Sequence, residues 1–403
     1  MSARKLLFLC QVLPYPPDTG VAVRSFNILR LLAETYDVTA LCFFRRGSTH
    51  SITSALQALS FAQTQAFPIE QEHSRLRLLR DHFMSVTTSA VYTRFAYESR
   101  SFERAMTAEL SSQTFDLIHY DSLDLSAYLP LARGLPAICG HHNVESDLLE
   151  RRATVESNRF RRAYLSLQAR LMRREESYWC SRVALNTVVS PVDAAVLAQR
   201  APAARIAIVP NGVDTQAFRP ADRPGTGLVF VGGMTWFPNR DAYQYFRDSI
   251  LPILRKSATA PSVIWVGRAR DEDYVPADSC ITLTGHVPDI RPYVHAAACF
   301  IVPLRVGGGS RLKILDAWAM GKAVVSTSVG CEGLDAKDGW NIMIRDEPAA
   351  FADAILEVVG NTELQRRLGE NARATVETTY SWEVIKPAMI DAYEQVRTGQ
   401  VPT

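Results

Sequence analysis

Short, almost wholly apolar runs recur along the chain, and the stretches between them carry apolar residues at helical spacing. In the first half the runs are KLLFLCQVL, YDVTALCFF, FDLIHY, PAICGHH, ALNTVVS and ARIAIVP. After the Pro- and Gly-rich stretch FRPADRPGTG (218–227) the pattern restarts with LVFVGGM, SVIWVGR, CITLTGH, ACFIVPL and KAVVSTS. Two successive series of strands alternating with helices predict an α/β protein of two parallel-sheet domains. The boundaries fall at 1–219 and 220–380, and a return helix at 381–403, from the closing stretch YSWEVIKPAMIDAYEQVR (380–397), crosses back to the first domain. Ligands of such sheets bind outside the carboxyl ends of the strands. PYPPDTG follows the first run, HHNVES the fourth, VGGM the first of the second series and VGGGSR a late one. A cleft between two facing sheets would gather all four.

Composition narrows the partners. The 403 residues, 47% apolar and 21% charged, suit a globular protein with two or three domains. The formal charge of +2 is unevenly spread, with 25 Lys/Arg against 20 Asp/Glu in residues 1–220 and 19 against 22 in the remainder. Much of the excess lies in HSRLRLLRDHF (73–83) and ERRATVESNRFRRAYLSLQARLMRREESYWCSR (150–182). The plainer reading of these stretches is a solvated, Arg-rich helix face. The alternative is an amphipathic surface facing anionic lipid or a phosphorylated acceptor. Nucleic acid is not expected, because no recognition motif accompanies them. Seven scattered cysteines without C-x-x-C spacing point to reduced thiols in a cytoplasmic protein, with neither a disulfide framework nor a zinc site. MSARKLLFLCQVLPYPP has a short apolar run that breaks at Pro14 without a small-residue cleavage site, so it reads as a first buried strand. No segment approaches the roughly 18–20 uninterrupted apolar residues of a bilayer span.

The chemistry concentrates in GGGSRLKILDAWAMG (307–321). Ser310 is placed to cap a helix, and Gly321 to end it. A helix start already carries positive potential, so Arg311 and Lys313 there call for an anion. Gly308 and Gly309 let backbone approach a ligand closely, and first-turn N–H groups cradle phosphate oxygens. The segment therefore reads as a diphosphate site. Asp316, among Ile314, Leu315, Ala317 and Trp318, needs partners if buried. A ribose diol would supply two hydroxyl donors; an intrahelical pair with Lys313 is the alternative. No G-x-G-x-x-G follows a strand, and Gly321-Lys322 lacks the rest of a P-loop, which counts against a nicotinamide-dependent dehydrogenase and a P-loop enzyme. Asp271-Glu272-Asp273 reads as a solvated loop, and with Arg, Lys and a helix terminus available no metal or cofactor is required. His142, at the carboxyl end of PAICGHH, is a candidate for the reaction itself, against a structural or loop-capping role.

IAIVPNGVDTQAFRP (206–220), DAWAMGKAVVST, TGHVPDI and the closing YSW helix together resemble the retaining glycosyltransferases of family 4 over nearly the whole chain. The resemblance implies the GT-B fold: two Rossmann-like domains, with the nucleotide-sugar donor mainly on the second and the acceptor mainly on the first. HHNVES, GGMTWFPNRDA and GGGSRLKILDAWAMG are similar to a bacterial branch tied to exopolysaccharide clusters, including transferases that accompany exosortase systems. This implies a UDP- or GDP-linked sugar donor, a glycan or polyprenyl-linked acceptor, and a peripheral place at the inner face of the cytoplasmic membrane. The family's two Glu, eight positions apart, map onto Gly308 and Asp316, so the ribose-binding carboxylate survives and the one near the sugar is missing; sugar identity cannot be carried over. The family's diphosphate-binding Arg and Lys fall near Gly233 and Asn239, in the turn that begins at Gly232, and Arg311 and Lys313 would take over their charge. By the same resemblance Gly20 lies on a loop facing the diphosphate, His142 lies near the reacting carbon of the sugar, and His286 and Val287 flank the base. The rival expectations are an NDP-sugar epimerase or hydrolase, which consumes donor without acceptor, and a non-catalytic nucleotide-sugar-binding subunit.

Overall fold

The computed structural model describes residues 4–46, 51–132, 134–220, 225–257, 260–269, 280–308 and 311–400. They divide into two compact units, Met1–Pro210 with Lys386–Thr403, and Asn211–Ile385.

The first unit is built on seven strands: β1 (Lys5–Cys10), β2 (Asp37–Phe44), β3 (Gln63–Pro68), β4 (Leu117–Tyr120), β5 (Ala137–Gly140), β6 (Leu185–Val188) and β7 (Ile206–Ile208). They pair in parallel in the order β3-β2-β1-β4-β5-β6-β7. Leu6, Leu7, Phe8 and Leu9 of β1 have no exposed surface, as expected of a central strand covered on both faces. β3, QTQAFP, escapes the apolar-run pattern because it is an edge strand whose Gln63 and Gln65 face solvent. Consequently PAICGHH, the fourth apolar run, is the fifth strand.

The second unit holds β8 (Leu228–Val231), β9 (Val263–Val266), β10 (Ile281–Gly285), β11 (Cys299–Val302), β12 (Ala323–Ser326) and the two-residue β13 (Met343–Ile344). The order is β10-β9-β8-β11-β12-β13, again parallel throughout. Its core stacks Phe230 on Trp265 with centroids 3.9 Å apart and fully buries Trp318.

Strand order reverses between β1 and β4 in the first sheet and between β8 and β11 in the second. At such a reversal the connections leave in opposite directions, and a crevice opens outside the carboxyl ends of the strands.

The unit boundaries fall at 210/211 and 385/386, where the sequence pattern placed them at 219/220 and 380/381. The reason is local: Val213 bridges to Ser381, its N–H donates to the Tyr380 carbonyl at 2.8 Å, and a Cβ on Gly212 would meet the Trp382 ring at 2.5 Å. Asn211-Gly212-Val213 is thereby tied into the second unit. The helix Trp382–Thr398 belongs to the first unit from Lys386 onward. There Tyr393 is buried with its hydroxyl 2.9 Å from His119 Nδ1, and Glu394 accepts from the Tyr36 hydroxyl at 2.6 Å.

Candidate functional site

At the reversal in the second unit, β8 runs into Gly232-Gly233 and β11 into the loop that ends at Arg311. The helix Leu312–Ala319 follows, with Arg311 at its N-cap and no side-chain cap bond. Gly309 and Ser310, both expected to bind the donor and the latter also to cap this helix, lie outside the described residues.

Lys313 reaches back across the reversal. Its Nζ donates to Asn239 Oδ1 at 2.7 Å and sits 4.0 Å from the centroid of the Phe230 ring. Asn239 in turn donates to the Gly233 carbonyl at 3.0 Å, which fixes its oxygen toward the lysine. A Cβ on Gly232 would lie 2.7 Å from Asn239 Nδ2 and 2.8 Å from the Lys313 ammonium, so this approach requires glycine. The alternative considered for Asp316, an intrahelical pair with Lys313, does not form, because the lysine is committed to a neutral amide on another element. Burial, and then the charge of Arg311, push the Lys313 ammonium well below its usual range.

Arg311 is buried, with 8% of its surface exposed, and its guanidinium donates to the carbonyls of Gly308 and, at 3.2 Å, Val329. A Cβ on Gly307 would fall 2.6 Å from that guanidinium. Arg305, in the same loop, is neutralised by Asp241 through bonds of 2.7 and 3.0 Å. Lys322 donates to the carbonyls of His295 and Ala297, both at 2.9 Å, and is a structural lysine.

One turn into the helix, the Asp316 carboxylate has no hydrogen-bond or ion-pair partner among the described residues. Burial alone pushes it up to about 7. His286 and Val287 follow the edge strand β10; His286 is exposed and Val287 packs on the core. The Asp271-Glu272-Asp273 stretch lies outside the described residues, and among the described residues no group of three His, Cys, Asp or Glu side chains could hold a metal ion.

The reversal in the first unit carries a different cluster. Asp121 leaves β4 and His142 leaves β5, with His142 Nε2 3.3 Å from Asp121 Oδ2. The same carboxylate accepts from the Ser25 hydroxyl at 2.6 Å and from the Cys10 thiol at 3.3 Å, and His119 stands 3.8 Å away. Burial acts to raise the Asp121 carboxyl, but His142 and His119 outweigh it and hold the group well below the usual carboxylate range. Arg24 is buried beside it; desolvation lowers the guanidinium to about 10 and Asp121 is the foremost charge opposing that. Gly20 opens the helix Gly20–Ala33 that supplies Arg24 and Ser25, with Thr19 capping it through the Ala22 N–H. His141 is turned the other way, 3.0 Å from Asn186 Oδ1, and burial lowers it to about 4. Two residues beyond Asn143, Glu145 is pushed up to about 8 by burial and by the charge of Asp124.

The structure thus brings together Gly232, Gly233 and Lys313 in the second unit and joins Gly308 to Arg311; in the first it sets His142 on a carboxylate that sequence reasoning passed over. Asp121 follows β4 as His142 follows β5, so the same strand-end rule applied to FDLIHYD would have found it.

Two all-parallel Rossmann-like domains of seven and six strands are the architecture of GT-B glycosyltransferases. Residues 19–217 match the model of Glycosyltransferase Family 4, and residues 225–361 that of Glycosyl transferases group 1. The first unit therefore carries a family 4 glycosyltransferase domain and the second a group 1 domain. Uncharacterized glycosyltransferase MJ1178 of Methanocaldococcus jannaschii is 27% identical over 110 residues, 27% of this chain and 31% of that protein. An uncharacterized 44.6 kDa protein in the cps region of Klebsiella pneumoniae is 33% identical over 169 residues, 40% of this chain and 44% of that one. The matched segments span less than half the length of these curated relatives. Among solved structures, sucrose-phosphate synthase (tll1590) from Thermosynechococcus elongatus superposes with a TM-score of 0.74 at 17% identity, covering 98% of this chain and 100% of its own. Anabaena Alr3699/HepE in complex with UDP and glucose gives 0.70 at 14% identity, covering 97% and 100%. At these identities the likeness is one of fold. Among the described residues no helix is long and apolar enough to cross a membrane.

Proposed function

We propose that this protein transfers a sugar from a nucleoside-diphosphate sugar, UDP- or GDP-linked, to a glycan or polyprenyl-linked acceptor, with retention at the anomeric carbon. The observation that carries this reading is the Lys313 ammonium, held by the neutral Asn239 side chain at 2.7 Å beside the cationic Arg311, in surroundings that disfavour its charge. Two desolvated cations at a helix start, outside the carboxyl ends of reversed strands, are a setting in which a diphosphate relieves both repulsion and desolvation.

In this reading the departing diphosphate takes the acceptor proton on the face from which it leaves. Lys313, Arg311 and the first-turn N–H groups stabilise its growing charge, and no metal is needed for that task. Asp316 accepts from the ribose hydroxyls. His142, oriented by Asp121, contacts the transferred sugar. Gly20, Gly232, Gly233 and Gly308 bring backbone close to the donor, and His286 and Val287 flank the base. A complex of a similar fold with UDP and glucose, and a relative encoded in a cps region, support a nucleotide-sugar donor and a role in exopolysaccharide or other cell-surface glycan synthesis.

The test is calorimetry of UDP and GDP against the wild type and Lys313→Ala, followed by turnover of the corresponding NDP-sugars with and without acceptor. Binding of one nucleotide that weakens in the variant, and product only with acceptor, are expected. Absence of nucleotide binding, or equal binding by the variant, sinks the donor assignment. Full-rate donor consumption without acceptor turns the reading into a hydrolase or epimerase.

A further inference from the structure

The helix Arg75–Thr88 is packed inside out. Asp81 and Ser85 are its buried residues, whereas Leu76, Leu79, Phe83 and Val86 are exposed, the first three by 81%, 66% and 65%. Their spacing of three, four and three residues sets them on one stripe of the helix.

The inward face is held by polar contacts. Asp81 pairs with Arg80 at 2.8 Å, Ser85 accepts from Gln168 at 2.8 Å and donates to the Ala90 carbonyl at the same distance, and His82 Nδ1 lies 2.6 Å from the Tyr164 hydroxyl. The contacts with Gln168 and Tyr164 join the helix to Arg159–Cys180, and Tyr164 lies one turn after Phe160, which is 73% exposed. An amphipathic helix ordinarily turns its apolar stripe to the core. Here the polar network fixes the opposite orientation, which leaves a row of large apolar side chains in water next to a further exposed phenylalanine.

The charges around this face are predominantly positive. Residues 159–174 contain six arginines and no Asp or Glu, and Arg75, Arg159 and Arg161 are exposed. Of the acidic groups nearby, Asp81 and Glu98 share Arg80, the latter at 3.8 Å, Glu70 pairs with Arg77, and Glu156 and Glu72 accept from the backbone N–H groups of Asn158 and Arg46. A second protein surface would have to supply both an apolar groove and several carboxylates. An anionic bilayer supplies both at once, taking the leucines and phenylalanines at the acyl boundary and the arginines among the headgroups.

We infer that the outward stripe of the Arg75–Thr88 helix and the first turn of the Arg159–Cys180 helix form an anchor that rests on an anionic lipid surface. It bears on the acceptor side of the function proposed above without depending on the donor site. Its test reads vesicle binding rather than turnover, so the two can fail separately.

The experiment is co-sedimentation of the full chain with vesicles of phosphatidylcholine alone and with a fraction of phosphatidylglycerol, across a salt series. Binding to the anionic vesicles that weakens with salt is expected. Leu79→Ser/Phe83→Ser and Arg159→Glu/Arg161→Glu should each lower that binding by at least about tenfold while keeping the wild-type circular dichroism and melting temperature, since all four side chains are exposed. The single variant Phe83→Trp should show blue-shifted indole emission on anionic vesicles, quenched by brominated acyl chains. Absence of vesicle binding, equal binding by the double variants, or emission from the Phe83→Trp variant that brominated chains leave unquenched overturns the inference. So does self-association of the wild type that Leu79→Ser/Phe83→Ser abolishes without any lipid binding, which would make the stripe a contact between copies.

Discussion

The two sheets reverse their strand order in the same way, yet the chemistry placed at the two reversals is opposite. In the first unit a buried carboxylate, Asp121, is surrounded by Ser25, Cys10, His142 and Arg24 and holds its charge firmly. In the second a lysine is held by an amide beside an arginine, and a carboxylate one turn away has no described partner. In the first cluster the Asp121 carboxylate is already partnered within the protein, which suits a group that must stay oriented. The second is left at a disadvantage in charge and solvation, which a ligand would relieve. Topology alone marks both crevices; only the side chains distinguish them.

The sharpest way to break this comparison is to remove the cations. Arg311→Ala/Lys313→Ala removes two charge-assisted contacts of about 1.5–3 kcal/mol each, so UDP or GDP affinity should fall about 10²–10⁴-fold by calorimetry. Arg311→Ala alone should lower kcat/KM at least about tenfold, and unchanged turnover would end its assignment. Chelation by EDTA should leave turnover of the wild type intact.

A change at Asp121 should have the opposite profile. Asp121→Asn removes the foremost counter-charge of the buried Arg24 guanidinium, at a cost of about 3–5 kcal/mol in stability, read as a lower melting temperature. Turnover should drop with it at temperatures where the variant is folded, because His142 loses the carboxylate that orients it. Nucleotide affinity, which the proposed donor site assigns to the second unit, should stay within about twofold. A parallel loss of nucleotide affinity would mean the two clusters do not divide the work.

How much of this the sequence discloses follows from where each signal lies. Central strands such as β1 and β11 are apolar on both faces and stand out, whereas β3 carries Gln63 and Gln65 outward at a sheet edge and β13 is two residues long. Arg311, Lys313 and Asp316 are visible because they crowd one helix start. The partner that decides the fate of Lys313 is Asn239, 74 positions away, and such a contact leaves no trace in local spacing. The basic stretch at 73–83 shows an amphipathic period, but period alone does not say which face turns outward; the Asp81 and Ser85 network does.

The smallest effect is the most discriminating. Burial pushes the Asp316 carboxyl up to about 7 against an ordinary 3.8, so its contribution to stability is present at low pH and is lost as pH rises between those values. Ribose hydroxyls donate best to the ionised carboxylate, so binding an NDP-sugar releases a proton below about pH 7 and affinity should rise with pH up to that point. Lys313 has the reverse sign. Burial and Arg311 weaken its hold on the proton, a diphosphate would strengthen that hold, and affinity should fall as pH climbs past its depressed value. The phosphates of an NDP-sugar do not themselves titrate over this range, so the affinity profile of an uncleaved donor should be a shallow bell. Asp316→Asn should remove only the rising limb, and Lys313→Ala only the falling one. A wild-type profile that is flat from about pH 5 to 9, or a variant that loses the wrong limb, would show that the charges at this reversal do not meet the donor.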